Sequence, residues 1–540
     1  MAGKTLRVLA WQAPNLLNPY LGGQADLLVA RCCLEPLLTV DNSGQLEPVL
    51  AADVPTQANG GLPDAKTVIY RLRPGIIWAD GVPFTAEDVA FTFAFLSDPL
   101  TAATTTAAYR GLDRVEAINA LTVRLTFTEP TGGWYVPFVG GTGLVLPRHA
   151  FTNHAGAAAR TAPFNTKPFG TGPFMVDTFA PGDRATLIPN PNYRDPSKPS
   201  IGRIELKGGG DAVTAARAVL QTNEFDYAWN LQVEGPVLQS IAAGSTGALL
   251  TSTGAGVELL LFNQSDPNIE VDGERSAPST RHPFLTDPMV RRALTLAIDR
   301  PTMAQQLYGG VAGDATANVL TTPTDLAWPG ARLDVDLDAA NRLLDDAGYQ
   351  RGADGIRVTP EGTRMKVLFA TSVNSLRQKE QAIIKDGWQK IGIETDLKAI
   401  DANAYFATAT NPDAVIRFQA DVVMLTVPFT SPFPAALMKR FYGKDPAKDW
   451  AQQANSWAAA NIAKWTDAEY DRVYDQALTE TDPGLSRDLW QRLDELAVSS
   501  HVVVPLVDRR FVSARAAGVQ GPAPRSFDVE TWNIADWTLD

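Results

Sequence analysis

Alternation of apolar and polar residues, broken by turn signals, divides the chain. Leu6-Arg7-Val8-Leu9-Ala10 reads as an opening strand, and 67–72 alternates as a half-buried strand does. Pro74-Gly75 and Asp80-Gly81 are turn pairs. Thr85, three residues before Asp88, predicts a capped helix over 86–97 that Asp98-Pro99 ends. Residues 123–127 form another strand. From about 170 to 262, short elements alternate between Gly and Pro breaks: a turn into a strand at Phe169–Phe174, a helix over 212–221, a strand over 225–229.

Helix signals are densest over 285–500. Asp287-Pro288 starts a helix over 289–298, and Asp299-Arg300-Pro301 starts a second that Gly309-Gly310 ends. A strand over 365–370, a helix over 376–391 closed by Gly392 and a strand over 393–400 read as a βαβ unit. Thr466 with Glu469 predicts a capping box for a helix over 467–478, and 502–506 is strand-like. The pattern is α/β with at least two lobes.

Composition narrows the function. The 540 residues allow about three domains at roughly 150 residues each. With 45% apolar and 20% charged residues the chain is globular. Its apolar stretches, such as 257–262, fall far short of the ~20 residues that cross a bilayer. A net charge of −13 without a run of Lys or Arg argues against nucleic acid or an anionic membrane as partner. The chain opens on a strand rather than a basic and then apolar leader, so an export signal is expected to be missing from this sequence.

Catalytic chemistry is not found. Adjacent Cys32 and Cys33 read as two buried thiols, and the four histidines (149, 154, 282, 501) form neither an HExxH helix nor a convincing metal spacing. No GxSxG elbow is present. The glycines at 140–143 and 208–210 lack the Lys-Ser/Thr of a phosphate loop and read as turns. No metal, cofactor or enzymatic activity is expected. Trp11, Trp229 and Trp532 fall at strand ends or in loops; Trp450, Trp457 and Trp465 read as packing residues.

Five segments together resemble a known family: Leu16-Leu17-Asn18-Pro19; Glu35-Pro36-Leu37-Leu38-Thr39-Val40-Asp41-Asn42-Ser43-Gly44; the block from Tyr70-Arg71-Leu72-Arg73-Pro74-Gly75 to Phe84-Thr85-Ala86-Glu87-Asp88-Val89; Gly170-Thr171-Gly172-Pro173-Phe174; and Val290-Arg291-Arg292-Ala293-Leu294 to Asp299-Arg300. In order and spacing the chain resembles the extracellular solute-binding proteins of family 5, receptors of ABC importers for peptides, nickel and oligosaccharides. The resemblance implies a two-lobed α/β periplasmic-binding-protein fold of the class II type with an extra subdomain inserted in lobe I. Lobe I would comprise 1–44, 170–260 and 507–540, the inserted subdomain 45–169 and lobe II 261–506, with two crossing strands as hinge. It implies an extracytoplasmic protein, periplasmic or lipid-anchored, that closes on a ligand and delivers it to permease subunits. A monomer without a nucleic-acid partner is expected.

Carried over residue by residue, the resemblance nominates Trp11 and Asn15 in the loop after the first strand, Trp229 and Asn230 after Glu224-Phe225-Asp226, and Asn263 at the start of lobe II. Peptide receptors of this family hold the ligand's ammonium with an Asp after a lobe II strand. Here the strand Ala420–Leu425 is followed by Thr426-Val427-Pro428-Phe429-Thr430-Ser431, with no charge until Lys439. A buried ammonium without a counter-charge is costly, so Thr426 and Phe429 point to a neutral or weakly polar contact. A peptide-sized ligand is expected first, an oligosaccharide, glycoside or other small solute as the alternative. A secreted hydrolase or a structural surface protein are the remote rivals.

Overall fold

The computed structural model describes residues 3–103 and 106–540. Met1 and Ala2, with which the first expected segment begins, lie outside them. The chain divides into two compact units: Met1–Thr253 with Thr430–Phe433 and Arg510–Asp540, and Gly254–Phe429 with Pro434–Arg509.

In the first unit, strand Thr5–Ala10 runs parallel to Arg203–Gly208 on one side and to Tyr227–Trp229 on the other. Arg184–Pro189 and Phe174–Ala180 extend this sheet as an antiparallel hairpin. A smaller antiparallel sheet orders Thr67–Arg71, Thr122–Phe127 and Leu112–Asn119 beside helix Ala86–Ser97. One apolar core, including Leu6, Val8, Tyr70, Trp78 and Phe174, serves both sheets. The predicted start of helix Ala86–Ser97 is present: the Thr85 amide donates to Asp88 Oδ2 at 2.9 Å. Helix Gln24–Cys33 was not apparent in the sequence, and its buried end accounts for the Gly170-Thr171-Gly172 segment. A Cβ on Gly170 would lie 1.8 Å from the Cys33 carbonyl oxygen, which accepts the Gly172 amide at 2.8 Å. Both cysteines are free and buried as expected, and burial pushes the Cys32 thiol up to about 12.

The second unit contains the predicted βαβ. Strands Lys366–Ser372 and Glu394–Ile400 pair in parallel around helix Ser375–Lys390, and Val422–Val427 is parallel to Lys366–Ser372 on the other side. Residues 257–262 of strand Ala248–Phe262 run antiparallel to Val422–Val427. Asp287 and Asp299 cap the two predicted helices, now Pro288–Leu296 and Arg300–Tyr308, and Gly309 ends the second at φ 61°. One cap differs. Helix Ala468–Thr479 is capped by Asp467, whose carboxylate accepts the Tyr470 amide at 2.8 Å, while the Thr466 hydroxyl donates to the Gly443 carbonyl instead. Strand 225–229 shortens to Tyr227–Trp229. Two long strands, Ala248–Phe262 and Val503–Arg515, carry the chain between units.

Helix Pro483–Ser499 was not assigned from sequence, although Asp482-Pro483 repeats the start signal of Asp287-Pro288. It carries Asp494, a fully buried carboxyl that accepts the amides of Val319, Leu320 and Trp328 at 2.9, 3.2 and 3.1 Å. Burial outweighs these bonds and pushes its pKa up to about 7. A carboxyl raised on folding contributes stability that is present below its unfolded pKa and lost as pH rises through the folded value. Asp494→Asn should therefore gain on the wild type between pH 4 and 7, by on the order of a few kcal/mol. Thermal unfolding at pH 5 and 8 checks this, and parallel curves for the two proteins contradict it.

Candidate functional site

Ligands in open α/β sheets dock outside the carboxyl ends of the parallel strands. In the first unit, the ends of Thr5–Ala10 and Tyr227–Trp229 lie side by side, Ala10 opposite Trp229. The residues leaving those ends are Trp11 and Asn230, and the Trp11 indole donates to the Asn230 carbonyl at 2.7 Å. Trp11 is half-buried, Trp229 almost fully buried.

Asn230 holds a left-handed backbone at φ 55°, which Asn tolerates better than most side chains. Its amide donates to Ser513 Oγ at 3.0 Å, and Ser513 donates in turn to the buried Glu530 carboxylate. The Tyr227 hydroxyl also donates to Glu530. Burial raises the Glu530 pKa, against these hydrogen bonds. This backing fixes the strand end rigidly. Asn15 lies further along the loop with an exposed side chain. The loop itself is pinned by Asp26, whose Oδ1 accepts the amides of Asn15 and Leu16 at 2.6 and 2.9 Å.

In the second unit, all three parallel strands end on one edge, at Ser372, Ile400 and Val427. Thr426 stands there, but its hydroxyl is fully engaged. It donates to Glu258 Oε2 at 2.5 Å and accepts from Arg377 Nη2 at 2.6 Å and Arg509 Nη1 at 3.0 Å. Glu258 lies opposite Thr426 in the antiparallel pair, with no exposed surface. Arg377 binds Glu258 Oε1 at 2.8 Å and Ser372 Oγ at 2.6 Å. Phe406, half exposed, has its ring centre 5.8 Å from the Arg377 guanidinium carbon. Phe429, half-buried, follows the strand.

Asn263 lies at the other end of this pair. Its backbone amide bonds to Asp421, five residues and roughly 16 Å of strand from Thr426. Its amide nitrogen donates to Ser276 Oγ, Phe418 O and Ala420 O, and its oxygen accepts from Ser265, all in the interior. These bonds give Asn263 an internal, structural set of partners. Asp421 is likewise internal, bonded to His282 at 3.0 Å and to the Leu368 amide at 2.6 Å.

The structure thus gathers Trp11, Trp229 and Asn230 on one edge, and Thr426 and Phe429 on the edge of the other unit. Sequence reading missed Glu258, Arg377, Phe406 and Arg509. One signal was available: Glu258 is the only charge within the otherwise apolar run 257–262, and a charge in a buried strand needs a partner.

Comparison with known proteins places the chain. The family model described as bacterial extracellular solute-binding proteins, family 5, middle, matches residues 45–449. A glutathione-binding protein, GsiB of Escherichia coli (strain K12), is 25% identical over 534 residues, covering 96% of this chain and 92% of its own. Among solved structures, the periplasmic murein tripeptide binding protein MppA in its unliganded open form superposes with a TM-score of 0.77 at 18% identity, over 98% of this chain and 96% of its own. The ABC transporter substrate binding protein CtaP of Listeria monocytogenes gives 0.76 at 18% identity over the full length of both chains. NikA of Brucella suis, in complex with Fe(III)-EDTA, gives 0.73 at 20% identity over 99% of this chain and 100% of its own. The fold is the two-lobed α/β architecture of periplasmic binding proteins, and among the described residues no helix is long and apolar enough to cross a membrane. The chain belongs to the family 5 extracellular solute-binding proteins, the ligand-capturing receptors of bacterial ABC importers.

Proposed function

We propose that this receptor takes up a peptide-sized solute outside the cytoplasm, as a monomer without catalytic activity, and hands it to a permease. The observation that carries the reading is the rigidly backed edge of the first unit. The half-buried Trp11 and a left-handed Asn230 leave the carboxyl ends of adjacent parallel strands there, one of which ends on the almost fully buried Trp229. Such an edge offers one part-exposed indole beside one fixed polar turn, which suits a short peptide. The names of the relatives agree in size class: glutathione and a murein tripeptide are both short peptides.

Capture by hinge closure uses the two strands that carry the chain between units. Gly254 and Gly256, at φ 97° and 127°, give Ala248–Phe262 a backbone at this crossing that L side chains rarely adopt. Ligand shifts such an equilibrium only through contacts that differ between the two states.

Mass spectrometry of solute released by denaturing the purified protein tests the reading, with a thermal-shift panel of glutathione, tripeptides and oligosaccharides beside it. A short peptide, and a raised unfolding temperature with the same compound, are expected. Recovery of an oligosaccharide alone overturns the peptide reading, and product formed in excess over protein overturns the receptor reading.

A further inference from the structure

The charged cluster on the edge of the second unit holds its two cations unequally. Two guanidinium groups, Arg377 and Arg509, meet one buried carboxylate, Glu258. Arg377 is held by Glu258, Ser372 and Thr426, and its side chain is only 10% exposed. Arg509 is held more loosely: Nη1 lies 3.0 Å from Thr426 Oγ1 and 3.7 Å from Glu258 Oε2, and its side chain is 37% exposed. Both Glu258 oxygens are already engaged, by Arg377 and by the Thr426 hydroxyl. The other acid in the cluster, Glu380, is fully buried beneath it and accepts from the Tyr308 hydroxyl at 3.0 Å. Burial, and then the neighbouring Glu258 carboxylate, push the Glu380 pKa up to about 8. Arg509 is thus the loosely held cation of the cluster, a part-exposed guanidinium beside the carboxyl end of parallel strands.

We propose that Arg509 is the specificity-determining anchor of this receptor and takes a carboxylate of the ligand, so that the ligand is an acidic or free-acid short peptide. The inference rests on the peptide reading above and reverses the charge of the ammonium-holding acid that the segment after Leu425 lacks. Guanidinium binds carboxylate through paired hydrogen bonds in one plane, which a lysine ammonium cannot reproduce. Thr426 is then a positioning residue: its hydroxyl, held by Glu258, fixes the inner side of the Arg509 fork. Phe406 supplies exposed ring surface on the same edge.

The test measures affinity by calorimetry for trialanine as free acid and as C-terminal amide, and for reduced glutathione as free acid and with both carboxyl groups amidated. The wild type, Arg509→Gln and Arg509→Lys are compared, each shown folded by thermal unfolding. The free acid should bind the wild type at least tenfold more tightly than the amide; Arg509→Gln should lose that preference, and Arg509→Lys should keep part of it. Equal binding of acid and amide by the wild type, or an unchanged preference in Arg509→Gln, overturns the anchor and leaves the peptide reading standing. A wild type that binds neither peptide in either form, and binds only neutral oligosaccharides or nothing, overturns both.

Discussion

An Arg377→Met variant is expected to lose about 3–5 kcal/mol of stability, because it leaves the buried Glu258 carboxylate with only the looser contact to Arg509. Glu258 has no exposed surface, and without Arg377 its nearest cation is Arg509, at 3.7 Å on the cluster's exposed side. Desolvation of an unpaired carboxylate exceeds what one distant, half-exposed guanidinium returns. Methionine keeps most of the apolar length of the side chain, so the loss reports the charge rather than a cavity. Pairing the change with Glu258→Gln should recover a large part of it, since the double variant removes both charges. Urea unfolding of the two single variants and the double variant reads the coupling directly. A double variant as unstable as the sum of the singles would show that the pair is not an energetic unit.

Trp229→Ala is expected to weaken glutathione binding at least tenfold, about 1.4 kcal/mol. It should also lower the unfolding temperature, since removing a large buried ring costs about 3–5 kcal/mol. The two effects separate in a companion variant. Trp11 is half-buried and lies on the same edge, joined to Asn230 by its indole hydrogen bond. Trp11→Ala should therefore lose affinity with a smaller loss of stability. Calorimetry and thermal unfolding on both proteins decide the matter. If both variants stay folded and bind as the wild type does, neither indole faces the ligand and the first unit's edge is not the binding surface.

What the sequence by itself determined was local. Caps, turns and helix stops join residues three to five apart, so Thr85 with Asp88, Asp287-Pro288 and Gly309 announce elements that form where expected. The βαβ over Lys366–Ile400 was readable for the same reason, because its periodicities and its glycine stop need no distant partner. The alternation of helix and strand signals carried the α/β class as well, and the segment order resembling family 5 carried the periplasmic-binding-protein architecture. Even locally, choice between neighbouring candidates was not readable: Thr466 and Asp467 both suit a cap, and the side chain that reached the Tyr470 amide was Asp467.

The tertiary structure alone decided which side chains share an edge. Asn263 and Thr426 sit near each other's strands in a diagram of the chain, yet antiparallel pairing puts them at opposite ends. Glu258, Arg377, Thr426 and Arg509 come from four separate elements, 119 to 168 positions apart where Glu258 meets Arg377 and Thr426. No local pattern encodes such a meeting. It follows from strand register, which is set by burying one whole face at once, and a shift of one residue would turn every side chain to the other face. Charge balance at the edge is therefore a property of the folded unit, invisible in a net charge of −13 summed along the chain.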